Sequence, residues 1–523
     1  MGATFIRLNP ERLNGRIDAT YYRPQFVANE ERLRTCGAHI QQLNNLIHSG
    51  RRAVYFSTST MEREEAPDNW VPFLTSDDFG TEGFGIDLNA RRYVSPEFAD
   101  QYPNGRLRAN ELLVKVKGPN QITAYNSKEP TKRILVSGTI WGALVRNDQI
   151  DPHYLVTVLS SDYAVLARSR LRTNLNVEFL SPSDLVELEL PVPRNRCAQK
   201  YIGDKVRQAE LLRASARSRE RRFTKLVKGA FPQLDETVSG VVKHGRATSL
   251  QLNGKLNPGA YNPNRILIRN YLLQNGGKQV LDIASIETPI TSRYKKTDTY
   301  IGLDSIGSFC GTINPSTIEQ EDVVGSVRLL SEGPVISKLR PYLNKVAYIP
   351  SSLNGAFGST ELLCVRAYDS ALNWFVYGVL QLQSTVRQLN PVSTGSTHPR
   401  VTREDVADTF IPWLDDPVSA GRILENAQRE YFASDLLVIA AKLIVEALIE
   451  GRVTEDEIAA AQIQLEHGDQ TGDRAMLVRL FNDGMDTTEG KRLFGDLDAH
   501  YETLQLAEEN SKDKPDNGSN DRQ

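Results

Sequence analysis

The chain has 523 residues, of which 40% are hydrophobic and 24% are charged, and its formal net charge at pH 7 is −3. These values are typical of a soluble globular protein with about three folded units. No stretch approaches the ~20 consecutive apolar residues that span a bilayer, and residues 1–7 lack the apolar core of a secretion signal. We therefore expect a cytoplasmic protein.

The charge is distributed unevenly along the chain. From Val453 to the end there are 17 acidic and 7 basic residues, a net charge of −10, so residues 1–452 carry a net charge of +7. A mildly basic body permits nucleic-acid binding without proving it.

An internal repeat with a period of roughly 220–240 residues organises the sequence. Similar segments occur in the pairs 13–18 and 252–257, 112–117 and 333–338, 135–139 and 356–360, and 190–193 and 410–412. Within each copy, short β-branched and aromatic runs alternate with turn residues, and helical stretches are predicted at 25–46 and around 151–167. We therefore expect each copy to be an α+β domain.

A heptad pattern follows each copy, over about 197–228 and 418–450, and predicts two long helices. Repetition of the pattern favours pairing of these helices as an antiparallel coiled coil; the alternative is that each helix lies alone on its own domain. Helices of this length extend over roughly 45 Å. The positions predicted to form the interface between the helices are Ile202, Val206, Ala209, Phe223, Val227, Ile423, Ala427, Leu437, Ala441, Ile444 and Leu448.

The predicted organisation adds a small helical appendage to these parts. Thr454 has the character of a helix N-cap followed by an acidic first turn, and apolar positions recur beyond it. After about Asn510 the sequence becomes polar and charged, which is typical of disorder. The predicted parts are a first domain at 1–196, helices at 197–230 and 416–450, a second domain at 245–415, an acidic appendage at 451–510 and a disordered tail at 511–523.

The sequence contains no recognisable catalytic or metal-binding motif. The Gly-x-x-x-x-Gly-Lys-Ser/Thr loop that holds nucleotide phosphates is absent, as is the Asn/Asp-Pro-Pro-aromatic step of a base methyltransferase. The chain has four cysteines, at Cys36, Cys197, Cys310 and Cys364. They are too far apart in the sequence to match the ligand spacing of a zinc site. We expect no metal in this chain.

Two runs in the second copy resemble a known family. Residues 337–347, Ser-Lys-Leu-Arg-Pro-Tyr-Leu-Asn-Lys-Val-Ala, resemble the strand–loop–strand of the target-recognition domains in type I restriction–modification specificity subunits. Residues 393–401 resemble the Gly-Ser/Thr loop before the closing strand of that domain. The resemblance covers about residues 10–450 and is looser in the first copy, where 115–120 and 172–176 occupy the matching places.

The resemblance implies a subunit without catalytic activity that binds a bipartite target on double-stranded DNA. It also implies two tandem target-recognition domains, and partners that are DNA methyltransferase and translocase–nuclease subunits, which would carry S-adenosylmethionine and ATP. Three alternatives stay open: a recognition subunit of another phage-defence assembly that does not methylate, an enzyme with an unrecognised active site, and a scaffold that binds only protein.

The loops that carry the resemblance supply candidate DNA contacts. Lys and Arg hold phosphates, whereas Arg, Asn, Gln, Ser and Thr read base edges. The candidate phosphate contacts are Lys115, Lys117, Lys338, Arg340 and Lys345. The candidate base readers are Asn120, Gln121, Arg172, Asn174, Ser396, Thr397, His398 and Arg400. Arg293 and Lys295 belong to a further basic patch, and for each residue a solvated surface position is the alternative.

Overall fold

The computed structural model describes residues 18–52, 69–79, 92–118, 122–173, 178–234, 257–308, 311–482 and 497–512. The chain divides into two compact units, one formed by Met1–Ala214 with Glu430–Gln523 and the other by Ser215–Arg429. Both units contain helices and sheets, which confirms the α+β class. Among the described residues no helix has the length and apolar character needed to cross a membrane.

The first unit contains the first copy of the repeat. Its helices are α1 (Pro24–Thr35), α2 (Leu43–Leu46), α3 (Pro96–Gln101), α4 (Pro152–Leu159), α5 (Asp162–Leu171) and α6 (Pro182–Val186), with α7 (Arg196–Ala230) after them. Its strands are β1 (Ile40–Gln42), β2 (Arg51–Arg52), β3 (Val71–Leu74), β4 (Tyr93–Val94), β5 (Glu111–Lys115), β6 (Thr123–Asn126), β7 (Leu135–Val136), β8 (Ile140–Leu144) and β9 (Glu189–Pro191). An antiparallel sheet has the order β2-β8-β5-β6, and β3 pairs in parallel with β7.

The second unit contains the second copy, whose four-stranded sheet has the same topology as that of the first copy. Its helices are α8 (Pro263–Gln274), α9 (Val280–Ile283), α10 (Asn373–Leu380), α11 (Gln383–Leu389) and α12 (Arg403–Ala407). Its strands are β10 (Lys278–Gln279), β11 (Ala284–Glu287), β12 (Ile290–Thr291), β13 (Thr299–Ile301), β14 (Ser316–Thr317), β15 (Val327–Leu329), β16 (Gly333–Ser337), β17 (Val346–Ile349), β18 (Phe357–Gly358), β19 (Leu362–Ala367) and β20 (Phe410–Ile411). An antiparallel sheet has the order β11-β19-β16-β17, and β13 pairs in parallel with β18, so the duplication extends to strand order. The sheet that contains this parallel pair has five described strands, in the order β12-β15-β18-β13-β14.

The sequence alignment of the two copies is wrong by one residue at the central strands β5 and β16. It is wrong by one residue also for the segments 135–139 and 356–360, where Thr139 is the counterpart of Glu361 and not of Thr360. The Leu180 N–H donates to the Val116 carbonyl at 2.9 Å, and at the matching place the Val401 N–H donates to the Lys338 carbonyl at 3.0 Å. Val116, and not Lys117, is therefore the counterpart of Lys338. Alignment of the lysines would turn every side chain of the strand to the opposite face of the sheet.

The helical stretch predicted at 25–46 is also corrected. Helix α1 ends at Thr35, and the chain then forms strand β1, which pairs antiparallel with the closing strand β9. The stretch predicted around 151–167 is divided between α4 and α5, because the Ser161 side chain accepts a hydrogen bond from the Ala164 N–H and starts a new helix.

Several predicted features lie outside the described residues. These are most of the opening segments of the two copies, at 13–17 and 252–256, the cysteine Cys310, and residues 513–523 of the predicted tail.

In the first unit, the beginning of α7 packs against the end of a second long helix, α13 (Pro417–Ile449). The Asn195 N–H, just before α7, donates to Glu455, which lies just beyond the end of α13. Further along α7, Arg213 Nε donates to Ser434 Oγ at 2.7 Å, so the two segments run antiparallel, as predicted. The predicted interface residues of this unit are buried in one apolar core, and they are Ile202, Val206, Ala209, Leu437, Ala441, Ile444 and Leu448.

That core also contains side chains of the first copy, such as Leu112 and Val158, so α7 packs on its own domain as well as on α13. The second unit repeats this arrangement with the other halves of the helices. Phe223 and Val227 of α7 are buried in the apolar core of the second copy, where Ile423 of α13 is half-buried. Ala427, also predicted at the interface, is buried.

The C-terminal helices are part of the first unit, and they are α14 (Glu455–Glu466), α15 (Thr471–Asn482) and α16 (Leu497–Lys512). Thr454 is the N-cap of α14, as predicted. Asp473 of α15, 1% exposed, forms a salt bridge of 2.6 Å with Lys205 of α7, 3% exposed. The hydroxyls of Tyr201 and Tyr501 also donate to this carboxylate, so a buried polar cluster fastens the appendage to α7.

Loss of one partner from this buried pair should strongly destabilise the chain. Lys205→Met leaves Asp473 buried without its cation, and we expect the free energy of unfolding to fall by about 3–5 kcal/mol. Lys200→Met is the matched control on the same helix, since its salt bridge with Glu466 is half-exposed, and about 1 kcal/mol or less is expected. Urea denaturation measures the free energy of unfolding of both variants, and an equal loss of stability in the two would contradict the expectation.

The same cluster predicts acid sensitivity through His500. The pKa of His500 is lowered from 6.5 to about 4, mainly by burial and in part by the charge of Lys205, while the charge of Asp473 opposes the shift. Because the pKa in the folded state lies below that in the unfolded state, the unfolded chain binds more protons between these values. Stability therefore falls as the pH is lowered from 6.5 towards 4, by roughly 3 kcal/mol at the lower limit.

His500→Gln should remove this part of the pH dependence, and exposed His467→Gln is the matched control that should keep it. Urea midpoints measured between pH 7 and pH 4 test the prediction. An unchanged slope in His500→Gln would show that another group titrates in this window.

Candidate nucleic-acid interface

The two runs that carry the family resemblance form one surface in the second copy. The Arg340 N–H donates to the Pro399 carbonyl at 2.7 Å, next to the hydrogen bond from Val401 to Lys338. The strand–loop–strand and the Gly-Ser/Thr loop are thus joined by backbone pairing. We refer to residues 338–345 and 394–401 together as the second loop pair.

A tight hairpin forms one half of the second loop pair. The backbones of Thr394 and Arg400 exchange two hydrogen bonds of 2.9 Å. At its tip Gly395 has φ +106°, a conformation that glycine adopts without a steric cost. The exposed residues that follow are the predicted base readers Ser396, Thr397 and His398.

An acidic residue that the sequence did not suggest lies beside this surface. Glu361 directly precedes β19, and its Oε1 accepts a hydrogen bond of 3.0 Å from Arg400 Nε. Its Oε2 lies 3.9 Å from Lys338 Nζ. Two of the predicted DNA contacts therefore share one carboxylate, and no local sequence signal reveals it because Glu361 is distant from both in the sequence.

Arg340 has an uncommon backbone conformation. Its φ is +50°, in the left-handed region that non-glycine residues seldom occupy. Such strain is concentrated at functional sites. The Arg340 guanidinium approaches the Thr397 carbonyl at 3.5 Å, so its side chain lies along the hairpin.

The other predicted residues of the second copy have different surroundings. Lys345 Nζ donates to the Leu303 carbonyl at 2.6 Å and lies 3.5 Å from Asp304, so its ammonium is held by its own domain. Arg293 and Lys295 are exposed between β12 and β13. Among the described contacts, none joins these two residues to the second loop pair.

The first copy has the same backbone arrangement. The Gly118 N–H donates to the Glu178 carbonyl at 2.9 Å, and Thr173 and Phe179 exchange two backbone hydrogen bonds. We refer to the described residues 116–118, 172–173 and 178–180 as the first loop pair. Lys115 ends strand β5 and is half-buried, whereas Lys117 is exposed. The predicted residues Asn120, Gln121 and Asn174 lie outside the described residues.

Arg172 is buried within the first loop pair. Its Nη1 forms a salt bridge of 2.8 Å with Glu178 and donates to the Gly118 carbonyl. The guanidinium therefore ties the two segments of the loop pair to each other. This placement gives Arg172 a role in shaping the loop and does not present it as a base reader.

The same backbone frame carries different side chains in the two copies. Counterparts are identified by equivalent hydrogen bonds, and the pairs, first copy then second, are Val116 and Lys338, Gly118 and Arg340, Thr139 and Glu361, and Phe179 and Arg400. Each exchange adds a charged group to the second copy. The two loop pairs therefore present different chemical groups at equivalent backbone positions.

Among the described residues, no group of three His, Cys, Asp or Glu side chains is arranged to hold a metal ion. The described polar side chains of the two loop pairs are mostly ammonium, guanidinium and hydroxyl groups. These groups suit phosphates and base edges.

Three solved structures are similar to this chain. A type I restriction–modification S subunit from M. genitalium has 12% identity and a TM-score of 0.35 and covers 80% of this chain and 96% of its own. The HsdS subunit from Thermoanaerobacter tengcongensis has 14% identity, a TM-score of 0.27 and coverages of 80% and 97%. A chain from work on assembly and conformational transition of the type I R-M system has 11% identity, a TM-score of 0.25 and coverages of 82% and 97%.

The first and the third come from type I restriction–modification systems. No protein-family model matches the sequence, and no curated protein matches it. The TM-scores lie below 0.5, and the function proposed below therefore rests on the residues of this chain.

Substitution of Arg340 should separate stability from DNA binding. Arg340→Gly removes the side chain from a left-handed position, and we expect the free energy of unfolding to rise by about 1 kcal/mol. Arg340→Gln keeps the strain and removes the charge, so it should not gain stability. Both variants should bind double-stranded DNA more weakly, as measured by fluorescence anisotropy. Unchanged DNA binding in both would exclude Arg340 as a contact.

Proposed function

We propose that this chain is the sequence-specific DNA-binding subunit of a type I restriction–modification complex. The observation that carries the proposal is the duplicated loop pair, with one backbone frame and two different sets of side chains. Two related but chemically distinct surfaces are suited to reading two different half-sites of a bipartite target. If the two half-sites of such a target lie one helical turn of DNA apart, their centres are separated by roughly 34–36 Å.

The chemistry of the second loop pair supports DNA as the ligand. Lys338 and Arg340 would contact phosphates, which hold the protein in register on the duplex. Arg400 and the exposed hairpin tip, Ser396 to His398, would face base edges, where Arg favours guanine and a hydroxyl can donate to an acceptor or accept from a donor. The positive net charge of residues 1–452 adds long-range attraction.

We further propose that the chain acts in the cytoplasm, has no catalytic activity, and recruits DNA methyltransferase and translocase–nuclease subunits. S-adenosylmethionine and ATP would be bound by those partners. The surface of α13 supports recruitment, because Phe432 and Ile439 are exposed there. Residues seven positions apart lie on the same face of a helix, and exposed apolar side chains of this kind are suited to binding a protein.

Methylome sequencing tests the proposal in cells that hold the gene together with its neighbours. Deletion should remove methylation from one bipartite motif, and the wild-type gene should restore it. A Lys338→Ala, Arg400→Ala variant should weaken or broaden recognition of one half-site only, because both residues belong to the second loop pair. Arg429→Ala, an exposed residue of α13 paired with Glu425, is the control that should restore methylation fully.

If no motif changes on deletion, the chain does not direct methylation. DNA binding by the purified chain would then favour a recognition subunit of a defence assembly that does not methylate. Turnover of DNA or nucleotide by the purified chain would instead indicate an enzyme.

A further inference from the structure

We propose that Glu361 is a positioning residue that fixes the Arg400 guanidinium for reading one base and thereby sets the sequence preference of the second copy. This inference rests on the proposed DNA-binding function. It concerns a residue that would touch no base itself and would act through Arg400.

The donors of Arg400 are divided in a way that suits base recognition. A guanidinium has five N–H groups. Nε donates to Glu361 at 3.0 Å, and Nη1 donates to the His398 carbonyl at 3.2 Å. Among the described residues, each terminal nitrogen therefore keeps an N–H without a partner, and the side chain is 47% exposed. Such an end-on pair of donors matches O6 and N7 of guanine in the major groove.

Glu361 is held in place from several directions. Its carbonyl accepts a hydrogen bond of 2.8 Å from the Lys338 N–H, and its own N–H donates to Ser359 Oγ at 3.3 Å. Its side chain is 22% exposed, and Oε2 is buried and accepts no hydrogen bond from the described residues. The two hydrogen bonds fix the backbone of Glu361, and its partly buried carboxylate then restricts the orientation of the flexible Arg400 side chain. Such pre-organisation lowers the cost of binding.

The first copy shows that the loop pair does not need this carboxylate to form. Thr139 occupies the place of Glu361, and its carbonyl accepts the equivalent hydrogen bond from the Val116 N–H at 2.9 Å. There Phe179 replaces Arg400, and Val116 replaces Lys338. The acid is thus present in the copy that has both cations and absent from the copy that has neither, which indicates a role in their use.

The carboxylate has a second effect, on binding without sequence preference. It is placed among cations that would otherwise attract any phosphate, and it lowers the net charge of the surface by one. Proteins gain specificity by weakening wrong complexes as well as by strengthening right ones. Glu361 would therefore reduce affinity for DNA in general while it improves discrimination between bases.

Two substitutions separate these effects. Glu361→Ala removes both the orienting hydrogen bond and the charge, so it should relax the base preference and increase affinity for non-target DNA, with a steeper salt dependence. Glu361→Gln keeps an oxygen that can accept from Arg400 Nε. It should retain most of the base preference while it increases affinity for non-target DNA.

The experiment uses the purified full-length chain and a library of random DNA duplexes, with sequencing of the bound fraction. Arg400→Ala should relax one base pair of the selected motif, and Glu361→Ala should relax the same base pair. Loss of a bidentate contact predicts a fall in discrimination of about 5- to 100-fold. Glu332→Ala, which removes an exposed acid elsewhere in the same unit, is the charge-matched control and should leave the motif unchanged.

The outcomes distinguish the two proposals. If the wild-type chain selects no motif, the DNA-reading function fails and the role of Glu361 fails with it. If the chain selects a motif but Glu361→Ala keeps the preference that Arg400→Ala loses, only the positioning role fails. Relaxation of many positions by Glu361→Ala, together with a lowered Tm and no rescue by Glu361→Gln, would show that the residue is merely structural.

Discussion

Backbone pairing between segments that are distant in sequence is the constraint on which each copy depends. In the second copy, the hydrogen bond from Val401 to Lys338 holds the loop that follows α11 against the end of β16. In the first copy, the equivalent bond from Leu180 to Val116 holds the loop that follows α5 against the end of β5. Because main-chain groups make this connection, side chains at the loops are free to change without loss of the frame. Gly118 of the first copy and Arg340 of the second copy occupy equivalent backbone positions, and they show how different the side chains on this frame can be.

The features that could be predicted from the sequence are those with a local or repeated signal. Heptad spacing indicated α7 and α13, and repetition of that spacing indicated their pairing. The side-chain pattern of the strands and turns indicated an α+β fold in each copy. In contrast, the alignment of β5 with β16 depends on strand pairing. The similar positions of Lys117 and Lys338 in the sequence suggested an alignment that is wrong by one residue.

The candidate site was predictable in its location but less so in its chemistry. The hairpin tip is exposed where the Gly-Ser/Thr run suggested it. Arg172, chosen for its residue type, is buried against Glu178, and Lys345 is held by its own domain. Glu361 was missed because its importance arises from two cations that reach it only through the fold. Residue type identifies possible ligands for DNA, whereas burial decides which of them are available.

The first unit is discontinuous in sequence, and this has a consequence for synthesis on the ribosome. Tyr201 and its carboxylate partner Asp473 are 272 residues apart. The second unit, Ser215–Arg429, is complete in sequence before the second segment of the first unit has been made. The first segment of the first unit would therefore be synthesised before the second unit, and yet the first unit would finish folding last. Lys205 would lack its counter-ion Asp473 until the C-terminal helices leave the ribosome.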